Sequence, residues 1–380
     1  MLRVHLPQEE LHRYSQIVSR GVSGRTTQPV QNNIYLEARE GQLRMVASDL
    51  EYLHLEAVVP AMVEEEGAAT VPARLLVEVT GALPPAEVSL EAGEQNSLTV
   101  ACQRTRYEMR GLPPEDFEML PPLDGAVEFN ISQKLLHRLL SRTIFAVLRD
   151  ETRPILTGVH IKISPEQLEM VATDTYRLAR CRVRPDSVEG LSALNVDDQK
   201  GAIVSARCLA EVERLLDANS EHMVTVAFTE SLVEFQVDRV KVMSRLIEGR
   251  YPDYERVIPT EYQKTVLVRT ADLEQALRRT LIVARDDGNR VVFHMAGQVM
   301  TLVAESQDVG RAEEEIEVEM EGEPMDIAFN ARYLLDALDA MGSDRIRIDL
   351  TGPHSAGAIT PEGDDTYLYV LMPMQLVPRR

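Results

Sequence analysis

The chain repeats itself three times, which restricts it to architectures built from three copies of one unit. Val46-Ala47-Ser48-Asp49 returns as Val171-Ala172-Thr173-Asp174 and as Val303-Ala304-Glu305-Ser306. Ala73-Arg74-Leu75-Leu76 returns as Ala206-Arg207-Cys208-Leu209 and as Ala331-Arg332-Tyr333-Leu334. The copies lie roughly 130 residues apart, a domain-sized period rather than a solenoid one. Phe117-Glu118 before Pro121 is echoed by Tyr254-Glu255 before Pro259 and closes the first two units. Prolines cluster at Pro113-Pro114, at Pro121-Pro122 and at Pro259, where periodicity stops. Three domains are therefore expected, at 1–122, 126–259 and 262–380.

Each unit reads as helix, alternating strands, second helix and further strands. In the second unit a helix is expected from about Ser132, a plausible N-cap, to Phe145, with Leu135, Leu136, Leu139 and Leu140 at helical spacing. Strands are expected near 159–163, 168–173 and 178–183. A second helix over about 207–218 follows, then strands near 222–229, 232–237 and 241–247. The first unit has matching strands near 88–91, 98–103 and 107–112. Two helices on antiparallel sheet, three times over, make an α+β architecture.

Composition narrows the function. The net charge of −21 argues against a tight electrostatic grip on nucleic acid. Cys102, Cys181 and Cys208 are too few and too scattered for a disulfide framework or a zinc site. The N-terminal stretch MLRVHLPQEE has no apolar signal core, no run is long enough to cross a bilayer, and the reducing cytoplasm is expected. No G-x-S-x-G elbow, Gly-rich phosphate loop or H-E-x-x-H motif occurs, so no catalytic residue, cofactor or metal is expected. Asp49 and Asp174 occupy equivalent repeat positions where the third repeat has Ser306, which makes them turn residues rather than catalysts.

The cations are not scattered. Lys134, Arg138 and Arg142 are spaced by four and fall opposite the leucines. Arg13 and Arg20, and Arg278 and Arg285, are each seven apart on the first helices of the other units, with Arg279 beside Arg278. The acidic runs 64–66 and 313–315 are expected outside the helices. A basic helical face within an acidic molecule suits a protein that encloses DNA and slides, with retention coming from topology. An acidic scaffold that binds proteins and never surrounds DNA is the competing reading, and the basic faces argue against it.

The second unit's Ala172-Thr173-Asp174-Thr175-Tyr176-Arg177-Leu178-Ala179 and its later run from Ser244 to Tyr254 resemble the bacterial DNA polymerase III beta subunit family, the beta sliding clamps. So do Asn330-Ala331-Arg332-Tyr333-Leu334-Leu335 and the terminal Tyr369-Val370-Leu371-Met372-Pro373-Met374-Gln375-Leu376. The resemblance covers the whole chain. It implies three clamp domains closing into a six-domain ring as a head-to-tail homodimer around double-stranded DNA. Its expected partners are the catalytic subunit of polymerase III, the clamp loader, other polymerases and repair proteins. The candidate DNA-contact set is Arg20, Arg25, Lys134, Arg138, Arg142, Arg153, Arg214, Arg278 and Arg285. Around Arg153 the usual neighbouring contacts become Asp150, Pro154 and Ile155, so a weaker contact is expected there.

The resemblance also implies an apolar pocket between domains two and three that takes a short partner peptide. Its wall would be Leu156, Thr173, Leu178, Pro252, Val257, Val370, Met372, Pro373 and Met374, with Tyr176, Arg177 and Arg256 nearby. The flexible, polarisable methionines suit a surface that fits many partners. The chain departs from the family at Thr175-Tyr176, where Gly-His is common, and at Gln375, where Arg is usual. The implied dimer contact joins Tyr107 and Met109 of one subunit to Ile282 and Val283 of the other.

Overall fold

A computed structural model describes residues 2–22, 28–164, 167–184, 187–190 and 201–376. Each repeat carries two helices. They are α1 (Gln8–Val18) and α2 (Ala73–Ala82), α3 (Gln133–Ser141) and α4 (Ala206–Leu215), and α5 (Thr270–Ala284) and α6 (Ala331–Met341). Among the described residues, everything else of regular structure is antiparallel strand and short 3-10 turn.

Compactness divides the chain differently from the repeat. One unit is Met1–Lys134 with Arg207–Leu246, and the other is Leu135–Ala206 with Ile247–Arg380. The middle repeat contributes to both because its strands pair with strands of both neighbours. Val240–Arg245 pairs with His54–Pro60, Val242 facing Leu55. Arg177–Val183 pairs with Tyr367–Leu371, Leu178 facing Val370.

In the first unit, eight strands run in the order Val127–Ser132, Met223–Phe228, Leu232–Val237, Val240–Arg245, His54–Pro60, Gln42–Ser48, Asn33–Arg39 and Gly67–Pro72. A five-stranded sheet runs Met62–Glu65, Arg3–Pro7, Glu87–Ala92, Ser97–Cys102 and Thr105–Arg110. Helix α1 buries Leu11, Tyr14 and Val18, at helical spacing, against α2 and the strands Gln42–Ser48 and His54–Pro60.

In the second unit, nine strands run Ala202–Ser205, Gly158–Ser164, Gln167–Thr173, Arg177–Val183, Tyr367–Leu371, Gly357–Pro361, Arg345–Leu350, Lys264–Arg269 and Glu319–Glu321. A four-stranded sheet runs Gly310–Glu317, Val299–Ser306, Arg290–Ala296 and Met325–Asn330. Helix α5 packs on α6 and on the strands Val299–Ser306 and Gly310–Glu317. Leu273, Leu277 and Leu281 of α5 are buried, each worth about 2 kcal/mol of transfer free energy. Helix α6 starts cleanly because Asn330 accepts from the backbone N–H groups of Arg332 and Tyr333. It stops at Gly342, whose φ of 61° a larger residue adopts only with strain.

The expected strands are present, displaced by one or two residues at most of their ends, and Leu232–Val237 coincides with its expected limits. Helix α3 begins directly after Ser132 but ends at Ser141, short of the expected Phe145. The buried Thr143 turns its hydroxyl back to the carbonyl of Leu139 at 2.7 Å, and the chain leaves the helical path there. A 3-10 turn, Ile144–Ala146, follows.

Candidate functional site

The site is built on a turn that recurs in all three repeats. Asp49 Oδ1 accepts from the N–H groups of Glu51, Tyr52 and Leu53. Asp174 Oδ1 accepts from those of Tyr176 and Arg177. Ser306 Oγ accepts from those of Asp308 and Val309. The equivalent positions are thus turn-makers, as their types suggest.

In the second repeat this turn projects side chains outward. Thr173 donates its hydroxyl to the carbonyl of Arg177 at 2.6 Å, closing the turn from below. Thr175 takes φ = 79°, and Tyr176 is thrown out to 63% exposure. The N–H of Met372 donates to the carbonyl of Tyr176 at 2.8 Å, and the N–H of Met374 donates to that of Ala328 at 2.7 Å. Between them Pro373 has no N–H to give and fixes its own φ. The segment is therefore pinned at both methionine backbones, and both side chains reach one cavity.

That cavity has a volume of about 440 Å³, within the usual range for small-molecule sites. Tyr176, Tyr333, Met372, Pro373 and Met374 supply its apolar surface, and Asp287, Arg290, Asn330 and Gln375 its polar rim. Arg177 lies buried next to it, donating to Asp174 at 3.0 Å, to Asp336 at 2.8 Å and to the carbonyl of Phe145 at 2.8 Å. Burial, helped by the Asp174 carboxylate, raises the Tyr333 phenol above its ordinary pKa, so it remains protonated at neutral pH.

Of the expected pocket residues, Tyr176, Met372, Pro373 and Met374 line this cavity. Leu156, Thr173, Leu178 and Val370 are buried in the surrounding core rather than on the wall. Pro252, Arg256 and Val257 are exposed and do not line it; Arg256 is paired with Asp253 at 2.7 Å. Asp287, Arg290, Asn330 and Tyr333 were not expected. Asn330 and Tyr333 flank the start of the repeated Ala-Arg motif, and that was the available signal. Asp287 and Arg290 pair with each other across three residues, a pattern too common to mark a site.

The expected DNA-contact cations separate into several environments. Lys134, Arg153, Arg214, Arg278 and Arg285 are exposed, and Arg20 is half-buried. Arg138 is half-buried, with its Nε lacking a hydrogen-bond partner. Arg142 departs from the expectation of a solvated face. Its side chain is only 11% exposed, because it donates to Asp364 at 2.8 Å and to the Met341 carbonyl at 3.1 Å and lies over the Tyr367 ring. A guanidinium so engaged ties the middle repeat to the third and is not free for a ligand. Arg25 lies outside the described residues. The acidic runs do lie outside the helices, on strands except for Glu66, but Glu314 reaches α5 and binds Arg279 at 2.7 Å.

Tyr107 and Met109 lie on Thr105–Arg110, an edge strand. Tyr107 is exposed, whereas Met109, at 2% exposure, belongs to the core of its own sheet. On α5, Ile282 is exposed and Val283 half-buried.

Three copies of one α+β unit, with a cavity where a terminal strand ends, define a clamp-fold protein. Three family models match in succession, the N-terminal, central and C-terminal domains of the DNA polymerase III beta subunit, over residues 3–121, 130–253 and 255–375. A beta sliding clamp of Synechocystis sp. is 34% identical over 97% of this chain and 98% of its own length. One of Staphylococcus aureus is 30% identical over 94% of each. The solved DNA polymerase III subunit beta from Pseudomonas aeruginosa superposes with a TM-score of 0.91 at 30% identity, over 98% of this chain and 100% of that one. The sliding clamp from Bartonella birtlesii bound to griselimycin gives 0.92 at 30% identity, over 99% and 100%. The chain belongs to the DNA polymerase III beta subunit family, the sliding clamps of DNA replication.

Proposed function

We propose that two copies of this chain close head to tail into a ring that encircles duplex DNA. The ring slides without sequence preference and tethers the polymerase III catalytic subunit, the clamp loader and repair proteins. It does so in the cytoplasm as a non-catalytic processivity factor, its domains being 1–122, 126–259 and 262–380. Partners dock a short apolar-containing peptide in the Tyr176–Met372–Met374 groove. Arg20, Lys134, Arg138, Arg153, Arg214, Arg278 and Arg285 face the duplex.

The observation that carries the ring is the character of two sheet edges. Thr105–Arg110 ends the five-stranded sheet and Gly310–Glu317 ends the four-stranded one. An unpaired edge is a template for another strand. One edge exposes Arg106, Glu108 and Arg110 on the same face, net positive, and the other exposes Arg311, Glu313, Glu315 and Glu317, net negative. Opposite charge on two different edges favours one subunit's first domain meeting the other's third, and rotation by half a turn makes both contacts at once.

Topological retention supplies the test. Loaded on a nicked circle, the protein should stay until the circle is cut and then run off the ends. Its native mass should be about twice the 42.6 kDa of the chain. Equal retention on circular and linear DNA, or a monomeric mass, excludes the ring.

A further inference from the structure

Four of the cations assigned to the duplex, Arg20, Lys134, Arg214 and Arg278, are already paired with carboxylates. Arg20 Nε lies 3.2 Å from Glu211, and Arg214 pairs with the same carboxylate. Lys134 Nζ lies 3.0 Å from Glu221. Arg278 binds Glu274 at 2.6 Å, with Asp339 at 3.5 Å. The pairs involve helices of all three repeats: Arg20 follows α1, Lys134 opens α3, Glu211 and Arg214 share α4, and Glu274 and Arg278 share α5. Such a recurrence is not needed for folding, because Lys134, Glu221 and Arg278 stand in solvent, where ion pairs are weak and screened by salt.

We propose that Glu211, Glu221 and Glu274 are built-in counter-charges that compete with DNA phosphate for the helix cations. This rests on the ring reading and deepens it. A cation that must leave a carboxylate to meet a phosphate gains little by the exchange, and the abandoned carboxylate then repels the polyanion. The grip stays shallow along the whole track, and no register on the DNA is favoured. An acidic protein with free lining cations would instead make several full phosphate contacts and release their counterions, which opposes movement.

The test is the salt dependence of binding to linear duplex DNA, measured by fluorescence anisotropy on the dimer. Glu221→Gln with Glu274→Gln removes the carboxylate partner of Lys134 and the nearer one of Arg278, whose other, Asp339, stays at 3.5 Å, and leaves the buried Glu211 in place, so folding is not at stake. Glu211→Gln is then added as a third change. Each freed cation should steepen the log–log salt slope by about 0.9, tightening binding roughly fivefold or more at 0.1 M salt. Glu37→Gln, whose partner Arg44 lies on a strand at 3.2 Å, should change neither. The same proteins are followed on nicked circles before and after linearisation. If the double variant keeps the wild-type slope and affinity while circle dependence is intact, the counter-charge reading is overturned and the ring stands. If wild-type retention ignores linearisation, both are overturned.

Discussion

The guanidinium of Arg177 sits 4.1 Å from the centroid of the Tyr333 ring. The same side chain binds Asp174 in the turn, Asp336 on α6 and the Phe145 carbonyl. One buried cation therefore holds Tyr176 and Tyr333, which come from different repeats, in a single wall. Arg177→Ala strips a buried carboxylate of its partner and should cost about 3 kcal/mol, the low end for such pairs because Asp336 keeps Arg332 at 3.4 Å. Arg177→Lys keeps the charge but loses the fork and the stacking, so its cost should be intermediate. Denaturant unfolding measures both, and a partner peptide should bind each variant more weakly. Full stability in Arg177→Ala would remove its structural role.

Thr175 stands where a β-branched residue is poorly accommodated. Its φ of 79° costs on the order of 1 kcal/mol relative to glycine. Thr175→Gly keeps the N–H that donates to Thr173 Oγ1 at 3.1 Å. The variant should unfold at a higher denaturant concentration. A lower midpoint would mean that the threonine side chain contributes more than its strain.

Met372 and Met374 present flexible side chains on a backbone pinned at both N–H groups. Truncating both to Ala should remove about 3 kcal/mol of apolar contact, near a hundredfold in peptide Kd. The native mass should not change, since neither residue lies on a proposed dimer edge. Peptide titration settles it, and unaltered affinity would move the docking site elsewhere.

Periodicity made most of the fold legible. Strands such as Leu232–Val237 alternate buried and half-buried positions from Val233 onward, and their limits follow from that. The Asp49, Asp174 and Ser306 turns were legible because a short side-chain acceptor after a strand has one common use. Spacing failed where environment decides. Arg142 continues the four-residue series of Lys134 and Arg138, yet the buried Tyr367 ring and Asp364, more than two hundred residues away, draw it inward. Tyr176, Met372, Pro373 and Met374 were legible through the family resemblance, since by local pattern alone the two methionines read as the end of a buried strand. Asp287, on a 3-10 turn, and Arg290, at the start of the strand that follows it, are distant in sequence, and no local pattern links them to residue 374.

His54 gives the protein an acid-sensitive element. It is buried on His54–Pro60, and burial pushes its pKa down to about 4, with Glu56 opposing. The unfolded chain holds a proton there up to about pH 6.5, so between the two values unfolding takes up a proton. Stability is complete above pH 6.5 and falls by roughly 3 kcal/mol as the pH drops to about 4. His54→Gln should flatten that slope when unfolding midpoints are compared at pH 7.5 and 4.5. Identical slopes would place the acid sensitivity in other groups.

The two charged sheet edges allow a prediction that separates specific pairing from general stickiness. Arg106 and Arg110 share a face of one edge, and Glu313 and Glu315 share a face of the other. Arg106→Glu with Arg110→Glu sets like charges against each other at both contacts of a closed pair, and the native mass should fall to that of the monomer. Adding Glu313→Arg and Glu315→Arg to the same chain restores opposite signs with the roles exchanged, and the dimer should return. Each fold is judged beforehand by its melting temperature. Because the four-fold variant has the wild-type net charge, recovery cannot be ascribed to overall repulsion. A dimer that persists in the first variant, or stays lost in the second, would show that these edges do not meet.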